Sequence, residues 1–126
     1  MNNNKLFLTP IQSFYAMHLF LEEYFNATSS DSIAVLLGCM HFLDDGETAD
    51  PVLWQDWCEI VGDAPITSMQ AFQAMNIFLG IYFQQTSSNK VKNMLNDITI
   101  VLTNKPAKEQ IWQKWEKSIE QALEPE

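Results

Sequence analysis

The chain has 126 residues, of which 47% are hydrophobic, and its formal net charge is −9. This length allows one compact domain, and the apolar content is that of a folded protein rather than a disordered one. The acidity argues against binding to a nucleic-acid backbone, which requires cations, and favours a cationic protein partner.

A long internal repeat dominates the sequence. Residues 9–30 recur at residues 67–88, and the two 22-residue stretches, aligned without a gap, are identical at 12 positions. Self-similarity at a fixed offset, here 58 residues, is typical of repeat architectures. We therefore predict two tandem units, residues 8–63 (unit 1) and residues 66–123 (unit 2). We expect them to share one core within a single domain over residues 1–126, because three one-sided helices bury little surface alone.

The identical positions predict the first helix of each unit. Thr9 followed by Pro10 is a start signal, because a capping hydroxyl precedes a residue with a preset φ angle. The apolar residues that follow are three and four positions apart, as one face of an α-helix requires. In unit 1 these residues are Phe14, Met17, Leu21 and Tyr24, with Ala16, Phe20 and Phe25 widening the stripe.

A second helix is expected to begin near Ser29 or Ser30. Its predicted buried stripe consists of Ile33, Leu36, Leu37, Met40 and Leu43. The matching part of unit 2 is ambiguous, since residues 98–103 are rich in β-branched side chains and also fit a strand. The repeat favours a helix there, and a helix is our prediction.

The third helix follows a loop over residues 44–50. Asp50 and Pro51 cap and open this helix, and Gly62 is expected to end it. The equivalent helix of unit 2 is predicted to run on to Leu123. The sequence thus predicts an all-α fold of about six helices, built from two tandem three-helix repeats that share one core.

Two tryptophan pairs share the 58-residue offset. Trp54 and Trp57 correspond to Trp112 and Trp115. Tryptophan is enriched at protein interfaces. A tryptophan present in both units is nevertheless better explained by core packing, and we predict that role.

The charge is unevenly divided between the two halves. Residues 1–63 contain one lysine and ten acids, whereas residues 64–126 contain six lysines and six acids, so the whole excess belongs to the first half. The units share core residues but not surface charge, and we infer that unit 1 binds something basic. The candidate contact residues lie on the loop, the third helix and the first helix of unit 1. They are Asp44, Asp45, Glu47, Asp50, Asp56, Glu59, Glu22 and Glu23.

Residue patterns typical of catalysis are missing from the sequence. The two histidines, His18 and His41, are replaced by Asn76 and Thr99 in unit 2, and a metal ligand or general base needs partners that converge on one point. The sequence has no Gly-rich phosphate loop and no Cys-x-x-Cys pair. We therefore expect neither an enzyme, nor a metal site, nor a cofactor.

The sequence also bears on cellular location. We find no secretory signal and no apolar run as long as a membrane span. Cys39 and Cys58 lie in helical patterns, and we expect buried free thiols rather than a disulfide. These features predict a cytoplasmic monomer that binds neither membrane nor nucleic acid.

Three segments between Leu8 and Trp57 carry a family resemblance. They read LTPIQSFYAMHLFLEEYF, TSSDSIAVLLG and LDDGETADPVLWQDW. This pattern resembles bacterial contact-dependent growth inhibition immunity proteins. The resemblance implies a small cytoplasmic protein that neutralises a toxin, the C-terminal domain of a delivered effector and often a nuclease. Unit 2 departs from the pattern, because Asp50-Pro51 becomes Lys108-Glu109. The alternative is an acidic helical adaptor, or a mimic of nucleic acid, without a dedicated toxin.

Overall fold

A computed structural model describes residues 7–124 as six α-helices and a small sheet. The helices are α1 (Pro10–Thr28), α2 (Asp31–Met40), α3 (Pro51–Val61), α4 (Ser68–Tyr82), α5 (Asn89–Thr103) and α6 (Glu109–Leu123). A 3-10 helix, Lys105–Lys108, precedes α6. The strands β1 (Phe7–Leu8) and β2 (Ile66–Thr67) form an antiparallel pair. The fold is all-α, as predicted.

The first helix of each unit begins with a reciprocal capping box. The Thr9 hydroxyl accepts from the Gln12 backbone N–H at 3.2 Å, and the Gln12 side-chain oxygen accepts from the Thr9 N–H at 2.9 Å. Thr67 and Gln70 repeat both bonds at 3.1 and 2.9 Å. Each box satisfies two N–H groups that a helix start otherwise leaves unpaired, which explains why a threonine and a glutamine three residues later recur in both units.

The helix boundaries confirm most of the predicted elements. Residues 98–103 belong to α5, so the repeat predicted this segment correctly and its β-branched composition did not. Gly62 ends α3, with a positive φ of 76° that suits a residue without a Cβ.

The prediction that Leu43 is buried was wrong. Helix α2 already ends at Met40, and His41 is extended. An isolated bridge between Phe42 and Thr48 then closes the loop. Leu43 therefore lies in this loop with 49% of its surface exposed. The cysteines were also predicted to be buried, but both free thiols are only half-buried.

The two-stranded sheet was not predicted. Two residues are too few for an alternating pattern to be recognised. Leu8 pairs with Ile66, the residue 58 positions later, and Phe7 pairs with Thr67. The sheet thus joins the starts of α1 and α4, and it brings the fully buried Leu8 into the core.

One hydrophobic cluster contains residues of both units, and two indoles lie at its centre. Trp57 packs on Phe14 of its own unit, with ring centroids 6.1 Å apart, and on Phe78 of unit 2 at 5.6 Å. Trp115 packs in the equivalent way on Phe72 at 5.6 Å and on Phe20 of unit 1 at 5.7 Å.

The indole N–H groups make matching hydrogen bonds. Trp57 donates to the backbone oxygen of Pro10, and Trp115 donates to that of Ser68, each at 3.1 Å. Trp57, Trp112 and Trp115 are buried, in agreement with the predicted core role, whereas Trp54 is half-buried.

The phenylalanines that cross between the units should be equivalent anchors. Phe20→Ala and Phe78→Ala should each lower the free energy of unfolding by about 3–5 kcal/mol, because each removes a buried ring and leaves a cavity. Urea denaturation measures this loss. Ile77→Ala, at a neighbouring residue with 51% exposure, is the control and should change stability by about 0.5 kcal/mol or less. A loss below about 1 kcal/mol at Phe20 or Phe78 would mean that the ring is not an anchor.

Neither half should fold alone. Residues 1–63 keep Trp57 but lose its Phe78 contact, and residues 64–126 keep Trp115 but lose its Phe20 contact. We expect both fragments to melt without a cooperative transition in circular dichroism and calorimetry. A sharp transition in the isolated first half would instead indicate two independent domains.

Candidate functional site

The acids of the unit 1 loop are exposed and close together. Asp44, Asp45 and Glu47 lie in a tight turn after α2. The Asp45 carboxylate accepts from the Glu47 backbone N–H at 2.9 Å, and the Leu43 backbone N–H donates to the Glu47 backbone oxygen at 2.7 Å. These bonds hold the backbone of the turn, so the carboxylates are displayed on an ordered loop.

Asp50 has a structural role at the end of the same loop. It is half-buried, and its carboxylate accepts from the Val52 backbone N–H at 3.2 Å, which caps α3 as the sequence predicted. Its backbone oxygen accepts from the buried Thr48 hydroxyl at 2.6 Å. Asp50 therefore contributes charge to the surface but is also needed for the start of α3.

Asp56 and Glu59 are exposed on α3 and line a cavity of about 180 Å³ between α3 and α4. We call this cavity the α3–α4 pocket. The remaining lining is apolar or aromatic: Leu53, Ile60, Phe78, Ile81 and Tyr82. Sequence reasoning identified the two acids but missed Ile81 and Tyr82. A signal was available, because Ile81 stands where unit 1 has the charged Glu23, and an exposed isoleucine in place of an acid is unusual on a solvated face.

Glu22 and Glu23 are exposed on α1, away from the loop in sequence. Glu22 lines a separate groove between α1 and α2, together with Phe25, Ala34 and Leu37. Its carboxylate lies 3.8 Å from the His18 Nδ1 atom. The structure thus brings Asp56 and Glu59 together around one pocket but puts Glu22 at a different groove.

Three of the lysines that replace unit 1 acids in unit 2 make internal contacts. Lys108 forms a salt bridge with Asp97 at 3.2 Å. Lys105 lies over the Trp112 ring at 4.9 Å, and Lys114 lies over the Tyr24 ring at 5.7 Å. Within residues 7–124, the acids between Asp44 and Glu59 form no salt bridge. In the described chain, the acids between Asp44 and Glu59 are thus without the cationic partners that would correspond to the contacts of Lys105, Lys108 and Lys114.

A second cavity, of about 220 Å³, contains both histidines. Its lining is Phe14, Tyr15, His18, Met40, His41 and Phe42. Burial lowers the pKa of His18 below its usual value, and His41 lowers it further, while the Glu22 carboxylate opposes this shift. His18 is therefore mainly neutral at physiological pH, as a side chain stacked on Tyr15 in an apolar cavity should be.

In residues 7–124, no three His, Cys, Asp or Glu side chains are placed to hold a metal ion. Over the same range, every helix is too short or too polar to cross a membrane.

Comparison of the chain with protein-family models, with curated proteins and with solved structures gave no match.

The lowered pKa of His18 predicts a pH dependence of stability. The folded protein holds the His18 proton less tightly than the unfolded chain does. The stability that neutral His18 contributes is therefore complete above the unfolded pKa of about 6.5 and is lost as the pH falls below it. We expect His18→Asn, which installs the unit 2 residue Asn76, to reduce the fall in urea midpoint between pH 7.5 and pH 5.5. Gln73→Asn, at an exposed residue that does not titrate, is the control, and an unchanged slope in His18→Asn would contradict the assignment.

Proposed function

We propose that this protein is a cytoplasmic immunity protein that binds a cognate toxin domain and blocks its active site. The partner would be the C-terminal region of a delivered effector, a basic nuclease. The family resemblance of residues 8–57 supports this proposal, as does the charge of the surface.

The observation that carries the proposal is the contrast between the two units. Their core residues and helix starts correspond, but within residues 7–124 the exposed acids of the unit 1 loop and α3 form no salt bridge. Like charges that lie close together repel one another, and a basic partner is the simplest compensation. A nuclease that grips a phosphate backbone is basic at its substrate cleft, so an acidic surface can cover that cleft.

The alternative function is that of an acidic adaptor or nucleic-acid mimic without a dedicated toxin. The same acidic surface favours it. The two functions differ in selectivity, because a mimic should bind several basic proteins at low salt, whereas an immunity protein should hold one partner tightly at physiological salt. A pull-down with the toxin domain encoded upstream in the native operon, with unrelated basic nucleases in parallel, separates them. An enzymatic function has the weakest support.

The unit 1 loop should control the association rate. The triple variant Asp44→Lys, Asp45→Lys, Glu47→Lys should keep the helical circular dichroism and slow association with the toxin by at least about tenfold, because exposed charges act mainly by steering. Surface plasmon resonance at two salt concentrations measures the rate, and toxin co-expression measures protection, which should be lost.

A matched control keeps the same net charge. Glu116→Lys, Glu120→Lys and Glu124→Lys reverse three exposed acids on α6 and directly after it. This control variant should protect as well as the natural protein. Equal slowing in both variants would mean that total charge matters rather than the unit 1 loop. Unchanged association in the loop variant would place the interface elsewhere.

A further inference from the structure

Tyr24 and Tyr82 occupy equivalent positions, 58 residues apart, but only one of them is covered. Tyr24 is 8% exposed, whereas Tyr82 is 37% exposed. The Tyr24 hydroxyl donates to the Asp97 carboxylate at 3.0 Å, and the Lys114 ammonium lies 5.7 Å from the centre of its ring. Unit 2 therefore supplies Tyr24 with a carboxylate and a cation of its own.

Different residues stand at the equivalent positions around Tyr82. Cys39 corresponds to Asp97, Asp50 to Lys108, and Asp56 to Lys114. Burial raises the pKa of Tyr82, and Asp50 and Cys39 raise it further. The aromatic ring is thus retained, but acids replace the two lysines that accompany it on the other side.

The α3–α4 pocket is where the missing cation would lie. It is lined by Leu53, Ile60, Phe78, Ile81 and Tyr82, together with the acids Asp56 and Glu59. A lysine or arginine side chain combines an apolar stem with a charged end, which matches apolar walls beside carboxylates. An aromatic ring in the lining also suits a cation, as the Tyr24 ring does for Lys114. Residues 7–63 contain no lysine or arginine that could fill the pocket from unit 1.

We propose that the α3–α4 pocket receives one basic side chain of the protein partner, which lies against Tyr82 and pairs with Asp56 and Glu59. The inference deepens the proposed function and rests on it for the identity of the partner. The partner side chain takes the place that Lys114 occupies beside Tyr24. The loop acids Asp44, Asp45 and Glu47 would then attract the partner, and this pocket would hold it.

The test uses the full chain and a small probe, N-acetyl-lysine methylamide. The neutral control probe is N-acetyl-norleucine methylamide, which has the same apolar stem and no charge. We expect the lysine probe to produce saturable NMR shifts at the Leu53 and Ile81 methyl groups and at the Tyr82 ring. Added salt should weaken this binding. The neutral probe should give at least about fivefold weaker binding. Equal binding of the two probes, or no shift at these residues, would overturn the proposal.

The key variant is Asp56→Lys, because unit 2 tolerates a lysine at the equivalent position, Lys114. The new lysine should lie over the Tyr82 ring and fill the pocket, so the lysine probe should lose its saturable shifts while thermal stability is kept. Glu116→Lys has the same change in net charge on exposed α6 and should bind the probe normally. Tyr82→Leu, which keeps an apolar wall but removes the ring, should weaken binding by about fivefold. Affinities of Asp56→Lys and Tyr82→Leu within about twofold of the natural protein would also overturn the proposal.

The same variants separate this inference from the proposed function. If Asp56→Lys increases the toxin dissociation rate by at least about tenfold with little change in association, both are supported. If the toxin binds Asp56→Lys and the natural protein equally, the pocket assignment fails and the immunity function stands. If the lysine probe binds as described but the toxin does not bind the natural protein, the immunity function fails and the pocket is still a receptor for a basic side chain.

Discussion

The fold depends on two indole side chains that each pack between phenylalanines of both units. Trp57 contacts Phe14 and Phe78, and Trp115 makes the equivalent contacts to Phe72 and Phe20. Each indole also donates its N–H to the backbone at the start of a first helix. A buried donor without a partner would be costly, so these bonds position the third helix of each unit against the first. Neither indole can be fully surrounded by its own unit.

The reciprocal core leaves the surface of each unit free to differ. Packing at the core determines most of the stability, whereas a substitution on a solvated face changes it little. In unit 2, Lys108 lies beside Asp97, and Lys114 lies over the Tyr24 ring. Unit 1 has acids at the corresponding positions, Asp50 and Asp56, and these form no salt bridge in the part of the chain that the structure describes. The two units thus differ in charge, and they differ in the same way in the charged side chains that are available to a partner.

The acids of unit 1 are held by structure that serves the fold as well. Asp50 caps α3, and the turn before it is closed by the Phe42–Thr48 bridge. Asp56 and Glu59 are exposed on α3 and line one pocket with Ile81 and Tyr82 of α4, whereas Trp57 of the same helix is buried in the core. A rigid display of charge loses little conformational entropy when a partner binds, which favours a protein-binding role.

The sequence alone determined the helices, since capping signals, apolar spacing and a 58-residue repeat agreed with one another. The repeat also predicted the helix at residues 98–103, where the β-branched composition favoured a strand. The sequence also showed that the acids are concentrated in unit 1, because charge can be counted from the residues alone. Only the tertiary structure decided that Leu43 leaves the buried stripe, since helix α2 ends three residues earlier. The two-residue strands and the α3–α4 pocket also came from tertiary structure. Ile81 and Tyr82 meet Asp56 and Glu59 only when the two units pack together, and a periodic pattern within one helix carries no information about which other helix it will face.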